Sequence, residues 1–205
     1  DWADALDEML KLDCELFLPG HGFPIIGKTR IKLALETTSS FLRTIEDQTL
    51  KLMNQGKSLN QVLHEVEIPE NLMNHAWLTP IYDDPQFLIR MIWRRYGGWW
   101  DGEYDRLLPS PRKAEAIAWV ELSGGTENII SKALEQSNQE NYAVAAHLIE
   151  TAFHADHNNE KIHEARSEIY RKFSLKQSSS MGRNILNHAS LASMKGLRDM
   201  AETKN

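Results

Sequence analysis

"NYAVAAHLIETAFHADHNNEKIHEARSEIYRKF", residues 141–173, decides the fold class of this chain. Apolar residues recur at helical spacing on both sides of the polar break "HNN", which gives two helices at roughly 139–156 and 159–174. A break that short makes the pair an antiparallel hairpin. Ala143, Ala145, Ala146 and Ala152 carry little bulk, so the helices can approach closely, as in tetratricopeptide-type stacks. No clean repeat of about 34 residues runs through the sequence, so the expected packing is TPR-like without being a TPR array.

Working outward, the same pattern gives helices at roughly 111–122 and 126–137, divided by "SGG" and "SNQ". A last, weakly amphipathic helix at about 183–201 follows "KQSSSMG", and the tail "AETKN" is expected to fray. Upstream, Ile31, Leu35, Thr38, Leu42, Ile45, Thr49, Leu52 and Met53 trace one face of a long helix, with Gly56 placed to end it. Ser58 caps a shorter helix carrying Leu59, Val62, Leu63 and Val66. "IPENLMNHAWLTPIYDDP" reads as irregular, residues 85–96 as a helix stopped by Gly97–Gly98, and "WWDGEYDRLLPSP" as a loop.

The N-terminus differs. "WADALDEMLKLD" (2–13) is a short amphipathic helix, and "CELFLP" is a short strand stopped by Pro19. One strand cannot make a sheet, so this end reads as the last αβ unit of a larger sandwich. Its sheet partners are expected upstream, leaving residues 14–18 poorly ordered or drawn into an intermolecular contact. The chain also opens on Asp1 rather than Met, and the expectation is that it begins partway through a longer protein.

Composition sets wide bounds. The 205 residues are 41% apolar and 25% charged, which is ordinary for a soluble globular chain. A net charge of −6 supplies no global basic field for nucleic acid. No apolar run approaches the ~20 residues of a membrane span, and no signal peptide is visible, so a soluble protein of cytoplasm or periplasm is expected. The single Cys14 permits no intrachain disulfide and reads as a buried, inert thiol.

Three groups of residues could carry chemistry. His21 stands between Gly20 and Gly22, with Pro19 and Pro24 outside them. The residues alone allow either a structural turn or a metal ligand held out on a strand-end turn. His154, His157 and His163 lie where one helix ends and the next begins, in polar sequence that reads as solvated. Arg90, Arg94, Arg95, Arg106 and Arg112 surround a group of Trp93, Tyr96, Trp99, Trp100 and Tyr104. Such arginines suit either helix surface and interface anchoring or an anion, and the aromatics suit core or a subunit interface. No nucleophile elbow, P-loop, GxGxxG or CxxC occurs.

Taken together, "YDDPQFLIRMIWRRYGGWWDGEYDRLLPSPRKAEAIAWVELSGG", the hairpin at 141–173 and "GRNILNHASL" resemble the region after the catalytic domain in alkyl-sulfatase-like members of the metallo-β-lactamase superfamily. The resemblance implies a mainly α fold: an alkyl sulfatase dimerisation domain at 29–205, preceded at 1–28 by the last αβ unit of an αββα hydrolase domain. It implies a parent that hydrolyses a small anionic ester, such as an alkyl sulfate, at two zinc ions, and a chain that forms a homodimer. "LFLPGHGFPIIG" resembles the superfamily's final metal-binding turn, which makes His21 a zinc ligand. Tyr82 matches a family tyrosine that reaches the bound sulfate. The His-x-His-x-Asp-His ligand motif is absent from residues 1–205. Catalytic zinc takes three protein ligands, so this chain alone is expected neither to hold the metal nor to be active. The reading set against this one is a non-enzymatic helical interaction module on the same scaffold.

Overall fold

The computed structural model describes residues 1–195. Among them are ten α-helices and one two-stranded hairpin, so the mainly helical class is borne out. The chain divides into two compact units, Asp1–Pro80 with Pro85–Tyr104, and Ile81–Asp84 with the chain from Asp105 onward.

The first unit holds α1 (Trp2–Leu10), β1 (Leu16–Phe17), β2 (Ile25–Ile26), α2 (Lys28–Asn54), α3 (Leu59–Glu65), α4 (Glu70–Met73) and α5 (Pro85–Gly97). Phe41, Ile45, Val62, Leu63, Leu72, Leu78, Ile89 and Trp93 form its main core. Leu6, Ile31 and Leu35 form a smaller one under α1, with Cys14 half-buried against it. The helix boundaries follow from local chemistry. Gly56, at φ +76°, donates its N–H to Met53 O and Lys57 donates to Leu52 O, which is the Schellman pattern of a helix end. Ser58 Oγ accepts from Gln61 N (3.4 Å) while Gln61 Oε1 accepts from Ser58 N (2.9 Å), a complete capping box.

The N-terminal strand has a partner within the chain. Leu16 pairs with Ile26 and Phe17 with Ile25, antiparallel, and Gly27 N donates to Glu15 O at 2.9 Å. Two apolar residues between Pro24 and Gly27 are too short a run to read as a strand, which is why β2 escaped the sequence pattern. The stretch expected to be irregular contains α4 and a 3-10 turn at Ala76–Leu78. Prolines there begin and end short turns rather than prevent them.

A charged clip joins α1 to α2. Arg43 Nη2 donates to Asp4 Oδ1 (2.8 Å) and Asp7 Oδ2 (2.5 Å), and Ser39 Oγ donates to Asp7 Oδ1 (2.7 Å). Arg43 holds Asp4 below the ordinary carboxylate range, and the Ser39 hydroxyl, then Arg43, does the same for Asp7. Lowered folded values mean that the clip's contribution is complete above an unfolded carboxylate pKa of about 3.9. It is lost as pH falls through the folded values. The protection of the α1 amides against hydrogen exchange, taken relative to the intrinsic exchange rate at each pH, should therefore fall in acid. Arg43→Met should expose α1 at neutral pH and remove most of that acid dependence; an unchanged acid response in the variant would reject the clip.

The second unit holds α6 (Arg112–Leu122), α7 (Thr126–Asn138), α8 (Tyr142–Ala155), α9 (Glu160–Leu175) and α10 (Ser180–Lys195). The expected spans agree with these to within a few residues. Consecutive helices from α7 to α10 pack on one another, and α6 packs on α8. Ile129, Ile130, Ala133, Ala145, Ile149, Ala152, Phe153, Ile162, Ala165 and Ile169 make one core. Ala133, Ala145 and Ala152 have no exposed surface, so small residues do bring these helices close. The last helix begins at Ser180, earlier than expected, because Ser179 Oγ accepts from Gly182 N at 3.1 Å and caps it. The expected stretch 196–201 and the tail lie outside the described residues.

Candidate functional site

His21 lies on the bend that joins β1 to β2 and is exposed, as are Gly20, Gly22 and Phe23. Gly22 has φ +99°, a conformation that a side chain would strain, whereas Gly20 sits in open space. The turn therefore presents the imidazole outward on a tip braced by two ladder pairs. Among the described residues, no three His, Cys, Asp or Glu side chains converge where they could hold a metal ion. The residues present thus do not fit a zinc site by themselves, and His21 is at most one donor toward one.

Tyr82 belongs to the second unit. Its backbone is fixed by the start of α10: Ser179 Oγ (2.6 Å) and Met181 N (3.2 Å) both donate to Tyr82 O, and Ser180 N donates to Ile81 O at 2.7 Å. The phenol itself is 66% exposed. A rigid main chain carrying an outward side chain suits a contact residue. His21 and Tyr82 belong to different units.

The Trp-Asp-Gly loop is built as a brace. Trp93 Nε1 donates to Trp100 O (2.9 Å), and Trp100 Nε1 to Glu103 O (3.1 Å). Glu103 N donates to Asp101 Oδ1 (3.0 Å), and Leu59 N to Asp101 O (2.8 Å). The loop thereby ties the end of α5 to the start of α3. Of the arginines, Arg95 pairs with Asp1 (2.8 Å) and lies over the Tyr96 ring, while Arg112 Nη1 is 3.1 Å from His154 Nε2.

The histidine run is not a solvated face. His154 and His163 both set their rings edge-on to Phe153, at 5.7 and 5.5 Å between centroids. His163 Nε2 contacts His157 O at 2.7 Å, and only His157 of the three is exposed. Phe153 also stacks under Arg166, whose guanidinium carbon is 4.4 Å from the ring centroid. Arg166 is 1% exposed, and its Nε donates to Glu150 Oε1 at 2.6 Å. An arginine in a polar-looking helix carries no periodic signal, so this network was not visible in the sequence.

The sequence profile of the alkyl sulfatase dimerisation family matches residues 58–196. The chain belongs to the alkyl sulfatase dimerisation family. The match runs from the cap of α3 to just past the end of α10, and so takes in the brace loop, Tyr82 and the histidine run. Among curated relatives, this family member is 25% identical over 172 residues to a linear primary-alkylsulfatase from a Pseudomonas species, covering 83% of this chain and 33% of that one. It is 24% identical over 186 residues to the alkyl/aryl-sulfatase BDS1 of Saccharomyces cerevisiae, covering 89% and 29%. Its fold is that of part of the sec-alkylsulfatase Pisa1 from a Pseudomonas species, with a TM-score of 0.90 at 21% identity over 96% of this chain and 32% of that one. The chain thus spans about a third of the length of these relatives.

Proposed function

We propose that this chain is the C-terminal part of an alkyl-sulfatase-like zinc hydrolase and that its helical region, 29–205, holds two copies together. Residues 1–28 are then the end of the hydrolase domain, whose substrate is a small anionic ester of the sulfate type. The observation that carries this is one of proportion: relatives named as sulfatases match 83–90% of this chain while it covers 28–33% of them. In this reading His21 supplies one zinc donor from its glycine turn, and Tyr82 reaches toward the sulfate from a backbone held by Ser179. Zinc, when bound, would supply a Lewis acid for ester hydrolysis; the upstream part of the parent must provide its remaining ligands.

Light scattering tests the dimer directly: a mass of twice 23.5 kDa is expected at micromolar concentration, and a clean monomer rejects it. The zinc role is tested in the full-length parent, where His21→Ala should lower bound zinc per chain. Unchanged metal content would remove His21 from the site. An upstream sequence lacking His-x-His-x-Asp-His would instead favour the non-enzymatic interaction module.

A further inference from the structure

The short segment that carries Tyr82 belongs to a different unit from the chain on either side of it. Residues up to Pro80 and from Pro85 lie in the first unit, whereas Ile81–Asp84 lies in the second, the unit of α10. Side-chain burial does not account for this, since Ile81 and Tyr82 are each 66% exposed. Main-chain bonding does. A helix begins with N–H groups that its own turns cannot satisfy, and the first three of α10 all find acceptors outside its ladder. Ser180 N donates to Ile81 O (2.7 Å), Met181 N to Tyr82 O (3.2 Å) and Gly182 N to Ser179 Oγ (3.1 Å). Two of these acceptors are carbonyls of the Tyr82 segment. Ser179, 1% exposed, completes the arrangement by donating its hydroxyl proton to Tyr82 O at 2.6 Å. One buried hydroxyl thus accepts from the helix and donates to the peptide of the tyrosine.

We infer that Ser179 is a positioning residue for ester binding: it sets Tyr82 through the Tyr82 carbonyl, so that α10 governs substrate affinity without touching substrate. This rests on the role of Tyr82 proposed above and assigns the group that controls it. With Met181 N as its one donor, the carbonyl could pivot about a single bond; the second donor, Ser179 Oγ, fixes its direction. Both carbonyls also face the positive end of the helix dipole, which favours oxygen there. A shift of about 1 Å at a contact residue can cost up to about 100-fold in rate, so one lost buried bond is readable in the kinetics. Tyr82 meets the ester in the ground state as well as in the transition state, so the change should fall on KM and not on kcat.

The test uses the full-length parent and a linear primary alkyl sulfate, the class of ester named for the Pseudomonas relative. Ser179→Ala should raise KM about tenfold, the scale of one lost hydrogen bond, with kcat and bound zinc unchanged. Ser179→Thr, which keeps the hydroxyl, should stay near the wild-type KM. In a Tyr82→Ala background, where KM is already raised, Ser179→Ala should move it by less than about twofold. An equal effect in both backgrounds, or none in the presence of Tyr82, overturns the inference and leaves the Tyr82 role standing. A Tyr82→Ala parent with wild-type KM, or a parent inactive on the ester, overturns the reading beneath it and the inference together. Should Ser179→Ala lose helical circular dichroism, hydrogen exchange of the wild-type chain decides. The Ser180 and Met181 amides should be as protected, relative to their intrinsic rates, as those in the middle of α10; free exchange at this helix start overturns the inference.

Discussion

Arg166→Met is expected to lower the unfolding free energy by about 3–5 kcal/mol, the range for removing one partner of a buried ion pair. The guanidinium is 1% exposed and closed between the rings of Phe153 and Tyr170, at 4.4 and 5.1 Å. Its Nε donates to Glu150 Oε1 at 2.6 Å, and Nη1 donates to Ala189 O (3.1 Å) and Ser193 Oγ (2.9 Å). One side chain therefore links α8, α9 and α10. Methionine fills much of the volume but takes the guanidinium away from the Glu150 carboxylate, itself 19% exposed, leaving His154 Nε2 at 3.7 Å from its other oxygen. The broken pair accounts for most of the expected loss, so Arg166→Met with Glu150→Met should recover much of it. Urea unfolding of the four chains of this cycle, with m compared between them, is the measurement. A single-variant loss below about 1 kcal/mol, the worth of an exposed pair, would show that the pair does not hold the helices.

Gly102→Ala is expected to cost about 2–4 kcal/mol, combining left-handed backbone strain with overpacking. Gly102 has φ +88°, and an added Cβ would stand 3.0 Å from Ser58 Cα and 3.2 Å from Ser58 Cβ. Ser58 has little freedom to retreat. It is held by its capping box with Gln61, and the next residue, Leu59, donates to Asp101 O. Gly98 provides the control, with φ +82° and nothing within 4 Å of a built Cβ. Gly98→Ala should cost only the torsional part, about 1–2 kcal/mol. Equal losses at the two positions would mean that the loop yields at Ser58, and the brace between α3 and α5 would then be looser than its hydrogen bonds indicate.

Much of the fold was legible because helices announce themselves locally. The period of apolar residues placed α2 and α6–α9, and Ser58 and Gly56 marked two boundaries by side-chain and backbone chemistry acting within a few residues. The miss at β2 has the opposite cause. Ile25 and Ile26 become a strand only because Leu16 and Phe17 are brought beside them, and a two-residue run has no period of its own. For the candidate site, the glycine turn of His21 was legible, while the bonds that pin the backbone of Tyr82 come from Ser179 and Met181, about a hundred positions away in sequence.

By itself, the sequence determined the helical class, the helix spans and the resemblance to alkyl sulfatases, since each depends on neighbours along the chain. Tertiary structure alone decided which polar residues are interior. His154 and His163, which read as solvated, lie against Phe153. Arg166, one charge among many on α9, is buried because Ala189 and Ser193, 23 and 27 residues onward, fold back to accept its hydrogen bonds. Burial is set by what packs across the bundle, and that partner is not written in the local period of any one helix.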